Sequence, residues 1–258
     1  MNRIDAAFQK PGHKALIPYL TVGYPTVKAT LELAKWMARN GADIIELGIP
    51  FSDPLADGAT IQASSHAALL NGVTPRTCLD VASSLRKSST VPLIFMTYFN
   101  PVLHYGITGF CQDSRSAGVD GLIIPDLPPE EAREMQAECQ AKKLDLIYLL
   151  SPNSTPERIA FVAEQSRGFI YLVSVTGVTG ARNELSSDLG AFVGRVRKAT
   201  EKPLCLGFGI SSAEQARKAA TIVDGVIVGS RLIQLADEDP SGEEFRAFFR
   251  KVRQGLDF

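Results

Sequence analysis

Histidine and cysteine are scarce in this chain, and those present stand apart. The histidines are His13, His66 and His104; the cysteines are Cys78, Cys111, Cys139 and Cys205. No Cys-x-x-Cys pair and no His/Cys grouping occurs, so the sequence offers no metal-ligand pattern. The same scatter fits small buried fillers in a reducing compartment rather than a disulfide framework. Charge of one sign is not in excess either: 27 basic residues stand against 28 acidic ones, a formal net charge of −1. A nucleic-acid binder would show a basic surplus or a basic run. No apolar run approaches the roughly 18 residues needed to span a membrane. Residues 1–10 are polar and amphipathic, without the apolar core of a signal peptide. These absences lead to an expectation of a cytoplasmic protein with neither nucleic acid nor membrane as partner.

What is present is alternation. With 258 residues, 45% of them hydrophobic, the chain can build a large core, and its length is close to the roughly 250 typical of a (β/α)8 barrel. Eight short runs rich in Val, Ile and Leu are candidate strands: 15–22, 43–49, 92–97, 121–125, 145–150, 169–173, 203–207 and 225–229. Each is continuously apolar rather than alternating, as expected of parallel strands covered on both faces. Helical patterns lie between them. Residues 28–40 carry Leu31, Ala34, Trp36 and Ala38, then the stop Gly41. Residues 75–87 follow a Thr74-Pro75 start. Residues 129–142 begin with acidic residues suited to a positive helix end. Thr155-Pro156-Glu157 reads as a helix start, and Ser211-Ser212-Ala213-Glu214 as a capping box. A short helix over 4–8 is placed as a plug for the barrel bottom.

A weak internal repeat points the same way. Gly41-Ala42-Asp43-Ile44, Gly118-Val119-Asp120-Gly121 and Ile222-Val223-Asp224-Gly225 each fall where a helix gives way to a strand, so one αβ turn is reused. No linker or composition shift divides the chain. The reading is an α/β fold, a single-domain (β/α)8 TIM barrel over 1–258 with an extra N-terminal helix. An open doubly wound sheet is the alternative, disfavoured by eight strands and by the lack of an early Gly-x-Gly-x-x-Gly.

In a barrel the chemistry sits on the loops that follow the strands. After the second strand the chain reads Glu46-Leu47-Gly48-Ile49-Pro50-Phe51-Ser52-Asp53-Pro54-Leu55-Ala56-Asp57-Gly58. Glu46 interrupts an apolar strand, and a buried strand carboxylate is costly unless paired or used. Its apolar surroundings should raise its pKa and let it give or take a proton near neutrality. Asp57, eleven residues on, lies in a loop of proline and glycine. Two carboxylates in unlike settings suggest divided acid and base roles. The plainer readings are that Glu46 pairs with a lysine inside the barrel, and that Asp53 or Asp57 caps a helix beginning near Thr60. After the sixth, seventh and eighth strands come 177–180, Gly207-Phe208-Gly209-Ile210-Ser211 and Gly229-Ser230-Arg231. Three successive glycine loops at helix starts form a phosphate-site pattern, with Ser230 as an added hydroxyl donor. Tyr19, Tyr98, Phe99, Tyr171 and Phe208 fall near strand ends. They could line a pocket for a flat aromatic substrate, although spacing alone favours ordinary barrel core.

At this point the chain resembles the tryptophan synthase α subunit family. The stretch 46–58 carries the resemblance most specifically. Residues 18–23, Asn100-Pro101, Tyr105-Gly106, 125–128, 177–180 and 207–211 match in the family's order, so it runs from about residue 3 to about residue 250. It implies a metal-free lyase that splits indole-3-glycerol phosphate into indole and glyceraldehyde 3-phosphate. Glu46 would then be the acid/base at indole C3 and the glycerol hydroxyl, and Asp57 would accept the indole N–H. Tyr171 would lie beside the glycerol chain. Gly180, Phe208, Gly209, Gly229 and Ser230 would cradle the phosphate, and Tyr19, Ile61 and Tyr98 would line the indole pocket. Thr179 would contact Asp57 once the 53–58 loop and the loop after Thr179 close. The resemblance also implies a β partner in an assembly of two α and two β chains. That partner would carry pyridoxal phosphate and receive indole through a tunnel, with no cofactor in this chain. Two departures stand out: Tyr24 where many members have an acid, and Ala59 where most have proline. Competing readings are a free-standing indole-releasing lyase, a phosphosugar isomerase or epimerase barrel, and a barrel kept only as an interaction module.

Overall fold

The apolar runs fold as parallel strands. A computed structural model describes residues 2–173, 187–207, 209–239 and 241–257. The strands are β1 (Ala15–Thr21), β2 (Ile45–Gly48), β3 (Leu93–Met96), β4 (Gly121–Ile123), β5 (Asp145–Ile147), β6 (Leu149–Leu150), β7 (Ile170–Val173), β8 (Leu204–Gly207) and β9 (Gly225–Val228). Their order in the sheet is β5-β4-β3-β2-β1-β9-β8-β7-β6. Only Tyr148 separates β5 from β6, so the two are halves of the expected fifth strand. The first half pairs with β4 and the second with β7. Between them the Tyr148 N–H turns away to the Ser166 hydroxyl at 3.1 Å, while its carbonyl accepts the Tyr171 N–H at 3.1 Å. The nine segments therefore close as an eight-stranded ring. The open doubly wound alternative is excluded, because the two ends of the order are one strand. A closed parallel ring leaves no edge and has both faces covered, which is why these strands lack alternation.

The helices are α1 (Arg3–Ala7), α2 (Val27–Arg39), α3 (Ala59–Leu70), α4 (Pro75–Arg86), α5 (Phe99–Tyr105), α6 (Ile107–Ser116), α7 (Arg133–Lys142), α8 (Pro156–Gln165), α9 (Ser187–Ala199), α10 (Ala213–Ala220), α11 (Ser230–Glu238) and α12 (Glu243–Leu256). α1 closes the barrel bottom, as expected. Ile4 is fully buried, and a Cβ placed on Gly121 would come within 2.9 Å of its Cδ1. Asn2 and Arg3 anchor the plug to Asp145 at 2.7 Å and Asp120 at 2.8 Å.

Three details differ from expectation. The acidic residues near 130 do not open α7, which starts at Arg133 after a turn. Pro128 and Pro129 hold that turn and delay the helix. The capping box at 211–214 is displaced: Ser212 is the cap, accepting from the Gln215 N–H, and the Gln215 side chain accepts from Ser211 N–H at 2.8 Å. α12 follows the eighth βα unit, its buried stripe of Phe245, Phe249, Val252 and Leu256 turned to the barrel. That stripe has the 3.6-residue period of an amphipathic helix.

The αβ-turn repeat has one physical basis. Asp43, Asp120 and Asp224 each accept an N–H from the first or second residue of a neighbouring strand, from Leu16 (2.8 Å), Leu93 (3.0 Å) and Leu204 (2.9 Å). Each also holds an arginine: Arg253 on Asp43, Arg86 on Asp120 and Arg197 on Asp224. Register and helix docking are thus set by the same carboxylate at the bottom of the barrel. The catalytic-face loops at the other end are free of that task.

Candidate active site

β1 and β2 run side by side with Tyr19 opposite Glu46. Residues in register across parallel strands face the same way, so both side chains enter the barrel. The ring of Tyr19 needs the space above Gly48, where a Cβ would lie 2.0 Å from its hydroxyl oxygen. Tyr171 on β7 uses Gly207 in the same way, at 2.1 Å. The glycines at these strand ends are therefore cut-outs for tyrosine rings at the top of the barrel. Tyr19, Tyr171 and the β9-α11 turn frame a cavity of about 200 Å³.

Glu46 is wholly buried, with 0% exposure. Neither of its carboxyl oxygens has a hydrogen-bond partner among the described residues, so the lysine pairing does not occur. Burial pushes its pKa up to about 8. Burial raises the phenols of Tyr19 and Tyr171, and the carboxylates of Asp57 and Glu46 raise them further. Glu46 does not line the cavity itself, but it lies close enough to Tyr19 and Tyr171, which do, to act on both phenols.

Asp57 lines the cavity. It does not cap α3, whose N-cap is Gly58 without any side-chain bond. Asp53 does not cap it either, being engaged by the Ser52 hydroxyl at 2.5 Å. Half-burial pushes the Asp57 pKa up to about 6, against a hydrogen bond from Tyr98 that lowers it. The Tyr98 hydroxyl donates to Asp57 Oδ2 at 3.1 Å and accepts the Ala56 N–H at 3.0 Å. Tyr98 therefore stands behind Asp57 and steadies its loop, with the Phe51 ring 5.3 Å from its own. Gln62 adds a bond to the Asp57 carbonyl at 2.9 Å.

The opposite wall is the glycine-rich one. Gly209, with φ +82°, Ile210 and Ser211 precede α10. Gly229 is the N-cap of α11, and Ser230 is its first residue. A Cβ on Gly229 would meet the Tyr19 ring at 3.3 Å. The start of α11 and the loop leading into α10 thus border one cavity, an arrangement that attracts an anion through the dipole and N–H groups of a helix start. Ile61, Met96 and Ile227 supply apolar wall. Of the expected site residues, Tyr19, Asp57, Ile61, Tyr171, Gly209, Gly229 and Ser230 line this cavity, while Glu46 and Tyr98 lie just outside it. Thr179, Gly180 and Phe208 lie outside the described residues. Met96, Ile227 and Gln234 were not singled out from the sequence, while Ile210, Ser211 and Arg231 stood in the glycine loops without a role of their own. A helical register for 230–238 would have brought Gln234 beside Arg231.

Comparison with known proteins bears on this geometry. A family model described as "Tryptophan synthase alpha chain" matches residues 6–254. The tryptophan synthase alpha chain of Dehalococcoides mccartyi is 56% identical over the whole of both chains. That of a Roseiflexus species is 50% identical over 94% of this chain and 95% of its own. Among solved structures, Mycobacterium tuberculosis tryptophan synthase superposes with a TM-score of 0.92 at 40% identity, covering 99% of this chain and 97% of that one. The alpha chain from Legionella pneumophila gives 0.91 at 36% identity, covering 100% and 98%.

Proposed function

The chain belongs to the tryptophan synthase alpha chain family, and on that premise we propose how its residues divide the family's reaction. The reaction is a lyase step of tryptophan biosynthesis, the retro-aldol cleavage of indole-3-glycerol phosphate to indole and glyceraldehyde 3-phosphate. Glu46 starts protonated and gives its proton to indole C3. This makes the ring an electron acceptor for the bond to the glycerol chain. The carboxylate left behind takes the proton of the glycerol hydroxyl next to that bond. The C–C bond then breaks, its electrons return to the ring, and an aldehyde forms. Glu46 ends as it began. Asp57 accepts the indole N–H and stabilises the positive charge that builds on the ring. The phosphate rests on the starts of α10 and α11, at Gly209, Gly229 and Ser230, with Gly180 and Phe208 completing the cradle. Tyr171 lies beside the glycerol chain; Tyr19, Ile61 and Tyr98 shape the indole end. Thr179 meets Asp57 when the loops close.

The observation that carries this reading is Glu46, a fully buried carboxyl unpaired among the described residues, close to a cavity lined by Asp57. Burial gives it a pKa of about 8, which suits an acid that must become a base near neutrality. The chemistry needs proton transfer alone, so we propose no cofactor in this chain, one barrel domain over 1–258, and the cytoplasm as its place. Among the described residues no helix is long and apolar enough to cross a membrane. Family membership brings with it a β partner in an assembly of two α and two β chains, the β chain holding pyridoxal phosphate. The test is indole release by the purified chain, alone and with a tryptophan synthase β subunit, beside Glu46→Gln. Release by the wild type, its loss in the variant and strong acceleration by β support the proposal. A high rate indifferent to β would indicate a free-standing lyase, and no indole under any condition would end the assignment of chemistry to Glu46.

A further inference from the structure

The cavity wall at the start of α11 holds a cation that the reaction scheme does not use. Arg231 lines the same space as Gly209, Gly229 and Ser230, and it is the only basic side chain among the described residues that do so. It is the second residue of α11, directly after Ser230. Its Nη1 donates to Gln234 Oε1 at 3.3 Å and to Glu238 Oε2 at 3.4 Å, both on its own helix. These are long bonds between part-exposed side chains, and a long, wet ion pair holds a guanidinium weakly. Gln234 is in turn tied across the mouth to the Thr60 hydroxyl at 3.4 Å, three residues beyond Asp57.

A phosphate dianion entering here shares the cavity with the Asp57 carboxyl, with the buried Glu46 nearby. Backbone N–H groups and one hydroxyl supply partial charges only. A guanidinium supplies a full charge and up to two parallel donors matched to phosphate oxygens. We propose that Arg231 is a phosphate-binding residue of this chain, leaving Glu238 for the substrate's phosphate when the cavity fills. It adds a full charge to the glycine cradle and makes the site select for the phosphorylated substrate. This rests on the function proposed above only for the name of the substrate; the anion site itself stands on the cavity.

The experiment is steady-state indole release by Arg231→Ala, Arg231→Lys and Glu238→Gln. It is read beside inhibition by glycerol 3-phosphate, which carries the phosphate without the ring, and by indole, which carries the ring without the phosphate. Loss of one charged contact should raise KM in Arg231→Ala by about tenfold and leave kcat within about twofold. Glycerol 3-phosphate inhibition should weaken by the same factor and indole inhibition should not change. Arg231→Lys should recover part of the loss. Glu238→Gln, which frees the guanidinium, should tighten glycerol 3-phosphate binding, and it reads the same movement if Arg231→Ala folds poorly. Unchanged KM and unchanged glycerol 3-phosphate inhibition in Arg231→Ala would overturn the proposal, as would equal weakening by indole, which would mean a damaged helix start. If the wild type releases no indole, the proposed chemistry fails alone, and calorimetric binding of glycerol 3-phosphate to the same variants still decides the role of Arg231.

Discussion

Glu46 and Asp57 are both carboxyls pushed upward by burial, yet the proposed chemistry needs them in opposite states. Asp57 works ionised, with a pKa of about 6, and Glu46 must start protonated, with a pKa of about 8. The kcat/KM profile should therefore rise through about pH 6 and fall through about pH 8, the two limbs belonging to the pair's macroscopic ionisations. The substrate phosphate also ionises near pH 6, so the acid limb is assigned by a variant. Tyr98 donates to Asp57 and lowers its pKa. Tyr98→Phe should move the acid limb to higher pH and leave the alkaline limb in place; an unmoved acid limb would show that Asp57 does not set it. Glu46 carries a second consequence. Its folded pKa is above its ordinary 4.5, so its stability contribution is intact below about pH 4.5 and is lost as pH rises toward 8. At pH 7 that loss is about 3 kcal/mol as an order of magnitude. Glu46→Gln should abolish indole release yet gain thermal stability over the wild type as pH is raised from 5 to 8. A variant that melts lower at every pH would contradict an unpaired Glu46. This residue was legible in the sequence because a carboxylate in an apolar strand needs no structure to be noticed. Tyr98 behind Asp57 was not, because a hydroxyl's partner 41 residues away in sequence is set by how β3 and the 53–58 loop meet.

At the scale of the elements, the strands were legible to within a residue or two, since continuous apolar runs between turns permit little else. Helix starts were harder. Thr74 and Thr155 act as caps where expected, but α5 is capped from another loop, by the Asp126 carboxylate accepting the Phe99 N–H at 2.9 Å. Sequence proximity cannot show that. The αβ-turn aspartates give a graded prediction. The Asp120 side chain is 4% exposed and holds Arg86, Arg3 and Arg115, whereas that of Asp224 is 36% exposed and holds Arg197. Asp120→Ala leaves a half-buried arginine without its carboxylate and should cost about 3–5 kcal/mol. Asp224→Ala should cost about 1–2 kcal/mol, the worth of its backbone bond and an exposed pair. Urea denaturation of the two variants would check the order, and equal losses would refute it. Ala59 offers the opposite test. It is the first residue of α3, after the Gly58 cap, a position where proline fits and no helical N–H is lost. Ala59→Pro should stabilise the fold by about 0.4–1 kcal/mol, seen as a rise in Tm. A fall would mean that the 53–58 loop requires the freedom Ala59 leaves it.

On the scale of the whole molecule, the barrel separates its two ends. The bottom is tied by Asp43, Asp120, Asp145 and Asp224 to arginines, to Asn2 and to strand N–H groups, while the top carries the cavity and its loops. Two large apolar side chains stand in solvent at that top end: Leu55 in the catalytic loop, 92% exposed, and Leu103 on α5, 57% exposed. They are mechanically joined to the chemistry. Tyr98, the N-cap of α5, bonds both Asp57 and the Ala56 N–H, so anything that seats on α5 and this loop can press on Asp57. Exposed leucines in such a place suit an apolar partner surface, which the β chain of the family would provide. Leu103 is the cleaner probe because it touches no reacting group, whereas Leu55 shares a short loop with Asp57. Leu103→Asp puts a charge into the buried contact. It should weaken α–β association at least about tenfold and remove most of the acceleration of indole release by β. The isolated chain's own rate should stay as in the wild type. Leu70→Asp is the control, since Leu70 is at least as bare but ends α3, a helix apart from α5 and its bonds to Asp57. Titration of each variant with β, followed by indole release, separates the cases. Loss of activation by Leu103→Asp alone places the partner on α5, whereas equal loss in both variants, or in neither, would move the docking surface away from the helix that braces Asp57.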